Sequence, residues 1–283
     1  MRLTVRLQDD ELWACDDEGR SRRLDNTRAG ELVAWWEGSP SVRPSDGRTA
    51  AVLSDLGQAR MARPHPTGRA ISAQAELDGE RIPLGHLTTA ESAQLAEILE
   101  RRYSSRAFGP IELAQLATLL MRSSRLRDWT TVDDNYQASH RPIPSAGARH
   151  PFDLHLVVDR RVEGLEPGVY VFDAVTGALV AQREVSAVPE ALLSRLGDHV
   201  GAPTAPAAAI FLVGHLDRTL SRYPAGMSLA WRDAGALLQT LHLCATDLHL
   251  RSCIAGTCGF LRDEARGPVV DMGCLALGGS PGR

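Results

Sequence analysis

Two long apolar runs, around Ala207 to Val213 and Val270 to Leu277 (the second broken by Asp271), constrain this chain more than any other feature. Neither alternates with polar residues, so both suit strands buried within a layered domain. Between them lies Ser228–Asp247, a long helical pattern with a broad apolar face. Further strands are expected at Leu154–Val158, Val169–Phe172, Ala178–Ala181 and Ala208–Val213, with a last one near Val269–Leu277. Helices and strands alternate, which points to a layered α+β or α/β fold. Neither apolar run is long enough for a membrane span, and the start MRLTVRLQDDELW has no signal-peptide core, so a cytoplasmic protein is expected.

Composition removes whole classes of chemistry. All 31 basic residues are arginine, and the chain has no lysine. A pyridoxal Schiff base, the lysine of a phosphate-binding loop and a lysine base are therefore excluded. Arginine does not replace lysine as a base, because it stays protonated. The 31 basic residues face 35 acidic ones, net −4, which argues against a general nucleic-acid binder. Five cysteines with no Cys-x-x-Cys read as free thiols, and no metal site is expected.

The texture of the chain breaks between residues 40 and 90, which sets a 1–87 extension apart from an 88–283 domain. In the extension, Leu3, Val5 and Leu7 alternate, then Leu12 and Ala14, across Asp9-Asp10, which is a hairpin signal. Thr27 is placed to cap a helix carrying Leu32, Val33, Trp35 and Trp36, and residues 69–83 alternate across an Asp78-Gly79 hairpin turn. In the larger domain, Thr88 and Glu91 are spaced as a capping box before a helix Ala90–Arg101. Pro110 suits the first position of a second helix, whose face carries Leu113, Leu116, Leu119 and Leu120.

Three short segments carry candidate chemistry. In Arg102-Tyr103-Ser104-Ser105-Arg106, two arginines four apart flank a serine. Guanidinium forks and a hydroxyl suit a phosphate monoester, although cations at a helix end also complement its dipole. Pro142 to Pro151 is a loop of prolines and small residues that lets the backbone approach a flat ligand. Cys253-Ile254-Ala255-Gly256-Thr257-Cys258 reads as a second small-residue loop, with amides able to face a ligand.

In this order the three segments resemble the nitroreductase superfamily of flavin enzymes, over about residues 88–280. The resemblance implies a mixed central sheet flanked by helices, FMN as cofactor, and a homodimer with FMN at the subunit interface. It places the FMN phosphate on Arg102, Ser104 and Arg106, the flavin along Pro144, Ser145, Ala146 and Gly147, and its reactive edge near Ala255 and Gly256. Two stretches, Ser145 to Pro151 and Gly164 to Asp173, are similar to those of the SagB-type azoline dehydrogenases. Those enzymes oxidise thiazolines and oxazolines to thiazoles and oxazoles in ribosomally made peptides, with a cyclodehydratase as partner. The implied substrate is an azoline-containing precursor peptide, and the 1–87 extension is a candidate for peptide or partner recognition.

The chain departs from that family at one place. A Lys-Tyr pair precedes the family's long helix, and here the aligned residues are Arg222 and Tyr223. With lysine absent, the proton of the azoline is left to Tyr223 beside the Arg222 charge, to a histidine such as His150, or to solvent. A flavin oxidoreductase acting on a small molecule, or a degenerate flavoprotein serving as a scaffold, are the competing readings. Ser145 lacks a nucleophile-elbow setting and no Gly-x-Gly-x-x-Gly occurs, so a serine hydrolase and a dinucleotide site are set aside.

Overall fold

The computed structural model describes residues 3–8, 11–16, 18–24, 42–44, 77–85, 92–133, 136–182, 189–223, 226–256 and 270–281. The chain divides into two compact units, residues 1–69 with 219–230, and residues 70–218 with 231–283.

In the smaller unit, β1 (Leu3–Gln8) and β2 (Glu11–Asp16) form the expected antiparallel hairpin, with Leu7 opposite Leu12. β3 (Ser21–Leu24) adds to β2 antiparallel, and β4 (Val42–Pro44) adds to β1 in parallel. Val5, Leu12 and Leu24 are buried. The expected helix after Thr27 lies outside the described residues.

The larger unit is built on a seven-stranded sheet. In chain order its strands are β5 (Arg81–Pro83), β9 (Phe152–Val158), β11 (Gly168–Asp173), β12 (Ala178–Ala181), β13 (Ala208–Gly214), β14 (Arg251–Ala255) and β15 (Val270–Gly278). In space the order is β14-β15-β13-β9-β11-β12-β5. Every ladder in this sheet is antiparallel, whereas a mixed sheet was expected. The long apolar runs report burial on both faces and say nothing about strand direction. All seven residues of β13 are buried. β5 lies before the expected 87/88 boundary yet pairs with β12, and the first arm of the expected 69–83 hairpin lies outside the described residues.

Helices cover the sheet. The helix α1 (Leu95–Arg101) starts later than the expected Ala90. Ser92 and Ala93 instead donate hydrogen bonds to the Asp247 carboxylate, which holds them short of the helix; Thr88 and Glu91 lie outside the described residues. Pro110 is not in the second helix. Residues Ile111–Glu112 form β6, paired with β10 (Val162–Glu163), and α2 begins at Leu113 and runs to Ser124. Its capping box is Glu112 with Gln115, and Leu116, Leu119 and Leu120 are buried as expected. A hairpin of β7 (Asp128–Asp133) and β8 (Tyr136–His140) follows. The helix α3 (Pro189–Val200) buries Leu192, Leu193 and Leu196 in a cluster with Val157, Phe211, Cys253 and Ala276. A one-turn helix, α4 (Asp217–Leu220), leads to α5 (Met227–Asp247). The four described cysteines are free.

Candidate functional site

The Arg102–Arg106 segment leaves α1 and is fixed by its backbone. The Ser105 amide donates to the Ser252 carbonyl of β14 at 2.9 Å, and His242 of α5 bonds the Tyr103 carbonyl at 3.3 Å. Arg251 of β14 bonds the Tyr103 hydroxyl, and its guanidinium lies 5.7 Å from the Tyr103 ring centre. With the backbone held, the side chains stay available. Among the described residues Arg102 and Ser104 have no side-chain hydrogen bond, and Arg106 commits only Nε, to the Val200 carbonyl at the end of α3. Two guanidinium forks and a hydroxyl thus remain open to an anion.

The far end of the segment is locked by a backbone bridge between Gly109 and Gly279, closed by two hydrogen bonds of 2.9 and 3.0 Å. A Cβ on either glycine would overlap the facing backbone, at Ser280 for Gly109 and at Pro110 for Gly279. Only glycine permits this approach.

The proline-rich loop joins β8 to β9 through a 3-10 turn, Ala146–Ala148. Gly147, Ala148 and His150 all have positive φ, at 59°, 50° and 43°. For alanine and histidine this is a strained backbone. The strain is held from outside the loop. Ser145 Oγ donates to the Asp233 carboxylate of α5 at 2.6 Å and accepts the His150 amide at 2.8 Å. The Ala146 amide donates to both Asp233 oxygens, at 3.1 and 3.2 Å. His150 Nε2 donates to the Ser139 carbonyl of β8 at 3.0 Å. Burial, reinforced by the nearby Arg141 charge, lowers the His150 pKa to about 3, so its imidazole is neutral. Burial also raises the Asp233 pKa. Arg149 is fully buried, with Nε on the Arg218 carbonyl, and Arg218 makes a two-pronged ion pair with Asp153.

The structure therefore refines the expected roles in this loop. The Ser145 hydroxyl and the Ala146 amide are engaged by Asp233, while Pro144 and Gly147 are the exposed positions. Asp233 itself was not foreseen. It sits far along the chain from Ser145, and no local motif links the two.

The third segment is corrected. Cys253, Ile254 and Ala255 are not a loop but the end of β14, where Ala255 is buried and pairs with Cys274. A small, sulfur-containing run reads as a loop in sequence and here serves close packing beneath α3. Gly256 follows the strand and is exposed, with nothing within 4 Å of the position of a Cβ. Thr257 and Cys258 lie outside the described residues.

Arg222 and Tyr223 belong to the smaller unit, where both are partly exposed. Their amides bond the Thr219 carbonyl at 3.1 and 2.8 Å, continuing the turn of α4. A Cβ at Gly226 would lie 2.7 Å from the Tyr223 carbonyl oxygen, so glycine is required where this turn folds back. Among the described residues no group of three metal-ligating side chains occurs, and no helix is long and apolar enough to cross a membrane.

No protein-family model matches this sequence, and no curated protein matches it. Solved structures do match its fold. A protein described as a nitroreductase from Ralstonia eutropha JMP134 superposes with a TM-score of 0.53 at 16% identity, over 76% of this chain and 98% of that one. A second protein so described, from Anabaena variabilis, gives 0.57 at 18% identity over 88% of this chain; the match takes in only 46% of that longer protein. The E. coli microcin synthetase McbBCD complex, solved with truncated pro-MccB17 bound, contributes a chain that matches at 0.52 and 16% identity, over 84% of this chain and 95% of that one. The fold is nitroreductase-like: a large antiparallel sheet flanked by helices.

Proposed function

We propose that this protein is an FMN-dependent dehydrogenase that oxidises thiazoline or oxazoline rings in a ribosomally made peptide. The observation that carries the reading is the set of unengaged phosphate-type donors, Arg102, Ser104 and the terminal nitrogens of Arg106, on a backbone locked by Ser252 and Gly279. These residues fit the phosphate of FMN, and the exposed Pro144 and Gly147 suit a flat ring. One of the chains that share the fold belongs to a peptide-bound synthetase, which agrees with a peptide substrate.

Bound FMN would supply the hydride acceptor, and the protein supplies position and proton transfer. Arg102, Ser104 and Arg106 hold the phosphate. Tyr223 takes the proton from the former α-carbon of the ring, with Arg222 beside it as a fixed positive charge. A homodimer completes the flavin pocket, the extension contributes to peptide recognition, and a cyclodehydratase supplies the azoline.

The test uses purified full-length protein reconstituted with FMN and mixed anaerobically with an azoline peptide. Flavin bleaching and a peptide lighter by two hydrogens are expected. Bleaching by NAD(P)H that a quinone or nitroarene reverses, and none by the peptide, would favour the small-molecule oxidoreductase that the two nitroreductase-like neighbours suggest. Failure to take up flavin would leave a binding scaffold. Tyr223→Phe is expected to keep FMN and lose roughly 100- to 10,000-fold in turnover, the usual scale for a lost general base. Parent turnover in that variant would remove Tyr223 from the reaction.

A further inference from the structure

Asp233 is a carboxylate with no ion-pair partner among the described residues. It is 8% exposed on α5, and among the described residues no arginine or histidine pairs with it. Among the described residues its charge is met by hydrogen bonds from the Ser145 hydroxyl and the Ala146 amide. A buried carboxylate without a counter-ion is a poor way to stabilise a helix contact, and an apolar side chain would pack there more favourably. What the carboxylate does that an apolar group cannot is hold two donors of one loop at once.

The geometry of that loop explains the need. Ala148 and His150 are both left-handed without being glycine. Such a backbone persists only where its surroundings over-determine it. The Asp233–Ser145 hydrogen bond fixes one end of the turn, and the Ser145 oxygen, by accepting the His150 amide, ties the other end to the same point. The 3-10 turn between them is thereby closed on itself. It also keeps the polar groups of Ser145 and Ala146 turned to α5, leaving Pro144 and Gly147 outward.

The geometry points to Asp233 as the positioning residue that, through Ser145, sets the shape of the Pro144–Gly147 loop against the cofactor. This rests on the flavin reading above. Asp233 does not touch the reacting atoms; it acts through the loop.

The experiment compares full-length parent, Asp233→Ala, Asp233→Asn and Ser145→Ala by two measurements. The first is FMN affinity from quenching of flavin fluorescence. The second is amide hydrogen exchange of residues 142–150 in the flavin-free protein. Asp233→Ala and Ser145→Ala should weaken FMN binding at least tenfold, and Asp233→Asn, which keeps an acceptor oxygen, should recover most of the loss. Exchange should rise at Ala146 in Asp233→Ala and at His150 in Ser145→Ala, with β9 and α5 unchanged. Parent-like FMN affinity together with parent-like exchange in Asp233→Ala overturns the proposal, as does an equal rise across β9 and α5, which would mark a general loss of stability. If the parent itself takes up no FMN, the flavin reading fails, and the exchange pattern alone decides whether Asp233 holds the loop.

Discussion

His150 shows at the level of one residue how the loop couples to pH. Burial, helped by the Arg141 charge, brings its folded-state pKa to about 3 from an ordinary 6.5. The unfolded chain therefore binds a proton below about pH 6.5 that the folded chain refuses until about pH 3. Stability must fall as pH drops through that window, with a slope approaching 1.4 kcal/mol per pH unit (about one proton's worth). Asp233 has the opposite sign, since its raised pKa favours the folded state as pH falls. The measurement is urea denaturation at pH 7, 6 and 5, taken as parent minus His150→Gln so that other groups cancel. His150→Gln should lose less stability on acidification, and parallel curves would mean that the imidazole is not buried neutral. Part of this was legible in sequence. Pro144 and Gly147 mark a loop that approaches a flat ligand, because small residues and prolines carry that meaning locally. The inward turn of Ser145 was not legible, because its partner Asp233 arrives from a helix formed much later in the chain.

Elements read best where one local signal dominates. The β1–β2 hairpin, the α2 leucine face and the strands β9, β11, β12, β13 and β15 follow from periodicity and apolar runs, within a residue or two. Elements set by tertiary contact read worst. α1 starts late because Ser92 and Ala93 bind Asp247 from the far end of α5. The end of β14 reads as a loop in sequence because Cys253 and Ala255 are small and lead into Gly256, and those two small residues are what packs in the cluster under α3. α3 did carry a signal, Pro189 followed by Leu192, Leu193 and Leu196, at helical spacing. Asp247 carries the prediction at this scale. It also pairs with Arg122 of α2 at 2.6 Å, with both side chains largely buried, so one carboxylate ties three elements together. Burial would raise its pKa, but the Ser92 and Ala93 hydrogen bonds and the Arg122 charge outweigh that and lower it. Asp247→Ala removes the largely buried carboxylate that Ser92, Ala93 and Arg122 share and should cost about 3 kcal/mol in denaturant unfolding. Asp247→Asn should cost less, and an unchanged midpoint in Asp247→Ala would show that the node is not structural.

At the scale of the whole molecule, α5 separates the two halves of the candidate cofactor site. Asp233 meets the proline-rich loop and His242 meets the phosphate-type segment, both through side chains on the same helix. Nine residues at 100° each place those contacts roughly 180° apart around the helix and about 13 Å apart along it. One copy of the chain thus presents the Arg102 segment on one side of α5 and the Pro144 loop on the other. In the proposed homodimer, two copies related by a two-fold axis would bring the Arg102 segment of one against the Pro144 loop of its partner, twice over. The consequence is a complementation experiment. Arg102→Ala and Asp233→Ala are each expected to lower FMN affinity as homodimers. Unfolded together and refolded as a mixture, half of the dimers are mixed, and each mixed dimer holds one site with both defects and one with neither. About a quarter of all sites should then bind FMN with parent affinity if the pocket is shared between subunits. If each chain builds its pocket alone, every site in the mixture keeps one defect and no tight-binding fraction appears. Fluorescence titration of the refolded mixture separates the two cases, and sedimentation of the same sample checks that it is dimeric.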